Sequence, residues 1–333
     1  MTILRGVYVS FAIILLFVSC TQKDVSSPED STLSVIDPDA ESSDTLVVGF
    51  SQLENENPWR IAQTISMVQE AERLGIDLRY ADAGGDTEKQ LQDVQNLLAQ
   101  GIDYLIFDPR EYEESAPALK YAKDRDVPVI VVDRDVRGEA GTDYVTRIAT
   151  DFYQEGRNAG QWLVQHYGDM PLRVIEITGT EGSSAAIDRQ TGFRSVLDRY
   201  PEHTVILAAT ADFVRAEAQR VMENVIQSVD GGFNSVFAHN DEMAIGVIQA
   251  LKNAGLEPGV DAVIVGIDGA RDAVKAIIAG EMGATVIVNP RYGPVTFETI
   301  LALERGETVP EEIIIPDGVI DAENAEELIE DSF

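Results

Sequence analysis

Short segments rich in β-branched residues alternate with helical patterns along this chain, and the alternation restricts the possible fold more than any other feature. Strands that are separated by helices form parallel sheets with right-handed crossovers. The rhythm runs once up to Thr150 and then starts again. We therefore expect an α/β protein with two similar doubly wound parallel-sheet lobes. The strand runs lie at residues 46–51, 78–82, 104–108, 129–133, 174–178, 204–208, 235–238, 263–267 and 285–288.

The first two helices have clear boundary signals. Asn57 and Pro58 predict an N-cap and a first helical residue, and Gly75 predicts the helix end. The second helix is expected over residues 88–99, before Gly101. Apolar residues at helical spacing predict the buried face of the first helix. They are Ile61, Ile65, Val68 and Ala71.

Size and charge limit the organisation of the folded part. The chain has 333 residues and a formal net charge of −33. About 290 residues follow position 44, which is more than one hydrophobic core usually serves, so two domains are expected. A surface this acidic repels nucleic acid and anionic membranes and favours solubility.

The N-terminus predicts export. Arg5 precedes an apolar run at residues 7–18, which is shorter than the roughly twenty residues of a membrane span, so residues 1–19 read as a signal peptide. Cys20 is the only cysteine and follows small Ser19, as in a bacterial lipobox, although Phe17 departs from that pattern. We expect Cys20 to carry lipid; the alternative is an unmodified residue near an ordinary cleavage site. Residues 20–44 have the composition of a flexible tether.

Two polar side chains mark a candidate ligand site. Asn240 follows the strand at residues 235–238, and Asp268 follows the strand at residues 263–267. Open α/β sheets bind ligands at the carboxyl ends of their strands. An amide beside a carboxylate is suited to hydrogen bonding with vicinal hydroxyls, which indicates a polyol.

Five motifs in order extend this interpretation into a family resemblance. The chain resembles the periplasmic sugar-binding proteins of the ribose-binding type (type I) from about residue 45 to the end. Trp59-Arg60 and residues 186–189 are similar to the branch of galactofuranose-binding proteins of ABC importers. The five motifs are Asp133-Arg134, residues 178–189, residues 211–213, residues 239–243 and residues 266–269.

The resemblance implies discontinuous domains and a hinged cleft. The N-terminal lobe would comprise residues 45–150 and 289–316, and the C-terminal lobe residues 151–288 and 317–333. It also implies a monomer that captures a monosaccharide without a cofactor and delivers it to the transmembrane subunits of an ABC permease. The lipid anchor would place the protein in the periplasm or at the cell surface. Val288 stands where the ribose-binding pattern has a polar amide, so a sugar other than ribose is expected.

The resemblance also assigns ligand-binding roles by motif. Aromatic residues would stack on the two faces of a sugar ring, while carboxylates, guanidinium groups and an amide would bond its hydroxyls. Each of these residues except Arg60 has a structural alternative: a core aromatic, an ion pair, or a helix cap at Asn240 and Asp268. Looser matches at Asp82, Asp108 and Arg110 give second candidates. The main set is Trp59, Arg60, Asp133, Arg134, Arg189, Phe213, Asn240 and Asp268.

Other classes fit the sequence less well. The segment 49–54 has a single glycine, so a dinucleotide fingerprint is absent, and the three histidines lack metal-ligand spacing. Asp133 and Asp268 could in principle serve a glycosidase as its carboxylate pair, but we expect no catalysis. A repressor of this fold would need a DNA-binding helix-turn-helix and a basic face. A sensor that feeds a chemoreceptor or kinase without transport remains the alternative.

Overall fold

The computed structural model describes residues 45–229 and 232–333. The described residues form one compact unit. The predicted signal peptide, Cys20 and the tether up to residue 44 lie outside the described residues. No helix within the described ranges is long and apolar enough to cross a membrane.

Twelve strands are present in the described ranges, and they form two six-stranded sheets. The strands are β1 (Val47–Gln52), β2 (Asp77–Asp82), β3 (Tyr104–Phe107), β4 (Val129–Val132), β5 (Thr146–Ala149), β6 (Arg173–Thr178), β7 (Thr204–Thr210), β8 (Ser235–Ala238), β9 (Val263–Asp268), β10 (Ala284–Ile287), β11 (Glu312–Ile314) and β12 (Gly318–Asp321).

Helices connect most of these strands, as the alternation predicts. They are α1 (Pro58–Leu74), α2 (Thr87–Ala99), α3 (Pro117–Lys123), α4 (Phe152–Tyr167), α5 (Ser184–Leu197), α6 (Arg215–Ser228), α7 (Asp241–Asn253), α8 (Arg271–Ile278), α9 (Gly293–Glu304) and α10 (Ala325–Leu328).

The two sheets define two lobes with nearly the same strand order. The first lobe has the order β11-β5-β4-β3-β1-β2, and all its pairings are parallel. The second lobe has the order β12-β10-β9-β8-β6-β7. Its last pairing, β10 with β12, is antiparallel, whereas a parallel sheet was predicted. The prediction of two doubly wound α/β lobes is confirmed.

The chain passes between the lobes three times. It leaves the first sheet after β5 and enters α4, which packs on α5 and on strands β9 and β10. It returns after β10 to α9, which packs on α1. It then forms β11 in the first sheet and β12 in the second. The division into discontinuous domains was drawn at these same three places and stays a prediction.

The buried face of α1 differs from the predicted stripe. Ile61 and Ile65 are 39% and 48% exposed, so placing them in the core was wrong. The helix instead buries a partly polar face, because Arg60, Gln63 and Thr64 belong to a hydrogen-bonded network above β1. The N-cap prediction is confirmed, since the Asn57 side chain accepts a hydrogen bond from the Arg60 N–H at 2.9 Å. The buried positions are Trp59, Arg60, Gln63, Thr64, Met67 and Ala71.

Candidate functional site

A cavity lies between the carboxyl ends of the two sheets, where the lobes face each other. The empty space among its side chains, counting the part that opens to solvent, is about 350 Å³. All eight main sequence candidates line it, together with two residues that the sequence did not single out as site residues. The lining residues are Asn57, Trp59, Arg60, Asp133, Arg134, Ala185, Arg189, Phe213, Asn240 and Asp268.

Most of these side chains lie at or near the ends of helices and strands. Trp59 and Arg60 lie in the first turn of α1, because Asn57 and Pro58 start the helix there. Asp133 and Arg134 follow β4 directly, and from the second lobe Asp268 is the last residue of β9. The other second-lobe residues come from the turn before α6, the end of β8 and the first half of α5. Each of the eight candidates is buried.

Three lining residues have a backbone conformation that side chains rarely adopt. Asp133, Phe213 and Asp268 have φ angles of 58°, 61° and 141°. Such conformations cost of order 1–3 kcal/mol and persist where the surrounding structure holds them. Their concentration at one cavity indicates that the chain accepts local strain in order to aim these side chains.

Arg60 joins two carboxylates on the first-lobe side. Its guanidinium donates to Asp108 Oδ2 at 2.6 Å and to Asp133 Oδ2 at 2.7 Å. Asp108 is fully buried and lies behind Arg60, outside the cavity lining. Burial raises the pKa of Asp108 to about 7, although Arg60 opposes the shift. Held on two sides, Arg60 is fixed in place before any ligand arrives.

The aromatic walls come from different lobes. The Trp59 indole donates to the Val288 carbonyl at 2.8 Å and meets the Tyr292 ring edge-on, with centroids 5.6 Å apart. Phe213 lies under the Arg134 guanidinium, whose Cζ is 5.1 Å from the ring centroid. The rings therefore take part in packing, as the structural alternative foresaw, and also face the cavity.

Arg134 is the least compensated cation of the site. Its Nη1 donates to the Arg110 carbonyl at 2.7 Å. Among the described residues it has no carboxylate within ion-pair distance. Burial lowers its pKa to about 10. A buried guanidinium with unused donors is suited to bonding ligand oxygens.

Arg189 is held from behind by a buried acid. Its Nε donates to Glu155 Oε2 at 2.7 Å, and its Nη1 donates to the His239 carbonyl at 2.8 Å. The ion pair that was the structural alternative for Arg189 is therefore present, with Glu155 as the acid. The remaining face of the guanidinium lines the cavity.

Asn240 and Asp268 behave differently as caps. Asn240 is the N-cap of α7, since its Oδ1 accepts the Met243 N–H at 2.9 Å. Asp268 caps nothing: the Ala270 N–H bonds to Asp241 at 2.8 Å instead. The Asp268 carboxylate accepts no hydrogen bond from any residue in the described ranges. Burial, reinforced by the nearby Asp241, raises its pKa well above the usual value.

The second candidates do not line the cavity. Asp82 turns toward its own loop, where it accepts the Gly84 N–H at 2.8 Å. Arg110 lies near the cleft mouth and approaches Asp212 of the second lobe at 3.4 Å. Asp108 reaches the site only through Arg60. A polar residue at a strand end was thus an incomplete signal, because the loop after the strand decides where the side chain points.

Backbone contacts close the cleft. The Tyr112 N–H donates to the Gly182 carbonyl at 3.1 Å, and the Asp135 N–H donates to Ser184 Oγ at 2.7 Å. Each contact joins the first lobe to the second. In residues 45–229 and 232–333, no group of three or more His, Cys, Asp or Glu side chains is arranged to hold a metal ion.

Comparison with known proteins places the chain in a family. Residues 48–308 match the family described as periplasmic binding protein domain. The galactofuranose-binding protein of Escherichia coli (strain K12) is 38% identical over 272 residues, which cover 81% of this chain and 86% of that protein.

Solved structures agree with this match. The binding component of the arabinose ABC transporter of Shewanella sp. ANA-3, bound to L-arabinofuranose, has a TM-score of 0.82 at 38% identity and covers 86% of this chain and 95% of its own. The fructose-binding periplasmic domain of a hybrid two-component system has a TM-score of 0.80 at 27% identity, covering 86% and 94%. These matches confirm the resemblance drawn from the motifs. The protein belongs to the periplasmic binding protein family.

Proposed function

We propose that the protein captures a monosaccharide in the cavity between its lobes and delivers it to an ABC importer. The observation that carries the proposal is that all eight main sequence candidates line one cavity between the lobes. Two of the relatives named above bind galactofuranose and arabinofuranose, so a galactofuranose-like aldohexose or a related sugar is the proposed ligand.

The chemistry of the walls supports a sugar. Trp59 and Phe213 offer flat apolar faces to the C–H faces of a ring, while Asp133 and Asp268 accept hydroxyl hydrogens and Arg134 donates to oxygens. The Val288 side chain is apolar and its carbonyl is bonded to Trp59, which argues against the ribose pattern. Closing the cleft removes water, so each hydroxyl needs a protein partner.

No covalent step is part of this proposal. Asp133 is occupied by Arg60, and Asp268 accepts from no described donor, so both are placed as hydroxyl acceptors. We propose that neither a cofactor nor a resident metal takes part and that the protein acts as a monomer.

Localisation belongs to the same proposal. Cys20 would carry lipid after removal of residues 1–19, and residues 20–44 would tether the lobes to the membrane in the periplasm or at the cell surface. Labelling cells with a radioactive fatty acid tests this: the wild-type protein should incorporate label and Cys20→Ser should not. Equal labelling of both would show that Cys20 is not the anchor.

A thermal-shift screen against a monosaccharide panel tests sugar binding directly. We expect at least one hexose or pentose to raise the unfolding temperature of the purified protein, because ligand that binds only the folded state stabilises it. The panel should include L-arabinose, D-galactose, D-ribose and D-fructose. If no sugar shifts the transition even at millimolar concentration, the proposal is wrong.

A sensor without transport is the second candidate, because a structural relative of comparable TM-score is the periplasmic domain of a hybrid two-component system. Deleting the genes of the partner permease separates the two functions. Uptake of the sugar should disappear under the transport proposal, whereas a sensor would leave uptake intact and lose only the response to the sugar.

A further inference from the structure

Glu155 is a buried acid that touches the site only through an arginine. It lies in the first turn of α4, has no exposed surface and is absent from the cavity lining. Its Oε2 lies 2.7 Å from Arg189 Nε, while its Oε1 has no hydrogen-bond partner in the described chain. An isolated buried carboxylate would be costly, so its pairing with Arg189 accounts for its presence.

Close helix packing brings this pair together. A Cβ atom at Gly156 would lie 2.0 Å from the Arg189 carbonyl oxygen, and one at Gly192 would lie 2.0 Å from the Tyr153 carbonyl oxygen. Only glycine therefore fits at these two crossing points of α4 and α5. The two backbones are in contact, which leaves Glu155 little freedom to move away from Arg189.

The charges around the cavity determine how the Glu155–Arg189 ion pair affects ligand binding. Arg60 is compensated by Asp108 and Asp133, and Arg189 by Glu155. Among the described residues Arg134 has no carboxylate within ion-pair distance, and the cation that acts electrostatically on Asp268 is Arg189. Counted as ionised, the guanidinium groups of Arg60, Arg134 and Arg189 and the carboxylates of Asp108, Asp133, Glu155 and Asp268 sum to −1. Without Glu155 they would sum to zero and Arg189 would lose the carboxylate beside it, so a ligand that carries a carboxylate would be repelled less.

We propose that Glu155 is a positioning residue that sets the charge selectivity of the site, so that neutral sugars bind in preference to anionic ones. This inference rests on the proposed sugar-binding function. Glu155 fixes the direction of the Arg189 guanidinium and cancels its charge. Arg189 then acts toward the ligand as an oriented hydrogen-bond donor rather than as an anion receptor.

Two matched ligand pairs test the inference: D-galactose with D-galacturonate, and D-glucose with D-glucuronate. The dissociation constants are measured by calorimetry for the wild-type protein, Glu155→Gln and Glu155→Asp. Glu155→Gln keeps the shape and removes the charge, so the preference for the neutral sugar should fall by about tenfold or more. Glu155→Asp keeps the charge one methylene further away, so it should weaken neutral binding and retain the preference.

Glu176→Gln is the control for loss of a buried acid in the same lobe. Glu176 is fully buried, pairs with the partly exposed Arg194 at 2.6 Å and lies 3.2 Å from His239 Nε2, but it contacts no residue that lines the cavity. Its removal should leave the neutral-to-anionic ratio unchanged. A change in Glu176→Gln as large as that in Glu155→Gln would overturn the specific role of Glu155.

The outcomes separate the inference from the proposed function. A wild-type protein that binds no sugar of any kind contradicts the proposed function. A wild-type protein that binds the uronate more tightly, or a folded Glu155→Gln with the wild-type ratio, overturns the inference alone. Should Glu155→Gln fail to fold by circular dichroism, Glu155→Asp decides: wild-type affinity for the neutral sugar would contradict the positioning role.

Discussion

Replacing Asp268 by asparagine should weaken ligand binding and stabilise the empty protein at once. The carboxylate accepts no hydrogen bond from any described residue, so its acceptor capacity is available to ligand hydroxyls. Asparagine keeps one oxygen and has the same shape as aspartate, so the substitution adds no new strain at a position whose φ is 141°. The loss is therefore one charge-assisted bond of about 1.5–3 kcal/mol, or roughly a tenfold to hundredfold rise in Kd.

The stability change has the opposite sign. Burial and Asp241 raise the pKa of Asp268, so the folded state holds this proton more tightly than the unfolded state. At neutral pH, ionising the buried carboxyl therefore destabilises the fold, and each unit of pKa shift is worth about 1.4 kcal/mol. Asp268→Asn removes that cost, so the free energy of unfolding of the ligand-free protein should rise by on the order of 1 kcal/mol.

Two measurements at pH 7.5 check the predicted loss of affinity and the predicted gain of stability. Calorimetric titration with the sugar that gives the largest thermal shift measures Kd, and urea unfolding of the ligand-free protein measures stability. Asp82→Asn is the matched control, because Asp82 also ends a strand but points into its own loop. Unchanged affinity in Asp268→Asn, or a loss of stability together with affinity, would refute the reasoning.

Three further predictions concern parts of the fold that the sequence did not reveal. Burial raises the pKa of Asp241 to about 7, so the folded state keeps this proton after the unfolded chain has lost it. Between pH 5 and 7 the free energy of unfolding of the wild-type protein should therefore fall by up to about 1.4 kcal/mol per pH unit relative to Asp241→Asn. Parallel pH profiles of unfolding for the two proteins would contradict this. Met67→Ala should cost about 2–5 kcal/mol in urea unfolding and Ile61→Ala less than about 1 kcal/mol, because α1 buries the former; equal losses would restore the predicted stripe. Ser184→Ala should raise the Kd of every bound sugar by a similar factor in calorimetry, because the hydrogen bond from the Asp135 N–H to Ser184 Oγ joins the two lobes. An effect on one sugar alone would show instead that Ser184 takes part in ligand recognition.

The sequence predicts the architecture well because the relevant signals are local. Buried parallel strands are short β-branched runs, and the alternation with helices dictates the parallel pairing. Strands β5, β11 and β12 escaped prediction because each has only three or four residues and includes a charged one, so none forms a β-branched run. The antiparallel β12 follows from the last passage of the chain between the lobes, which no local pattern shows.

The site residues, too, could be predicted where the signal is local and not where it depends on tertiary packing. Sequence motifs located eight of the ten lining positions, because most of them lie at or near segment ends that the sequence marks. Glu155 could not be found in this way, since its pairing with Arg189 depends on how closely α4 and α5 pack. For Ile61 and Ile65 the sequence predicted burial, but both residues are exposed. Apolar residues at helical spacing mark the buried face of a helix only when no polar network occupies that face.

The most direct test of sugar capture is a crystal structure of the protein with the sugar that gives the largest thermal shift. We expect one ring between Trp59 and Phe213, with hydroxyl oxygens within about 3.2 Å of the Asp133 and Asp268 carboxylates. A sugar bound elsewhere, or an empty cavity beside saturating ligand, would contradict the account.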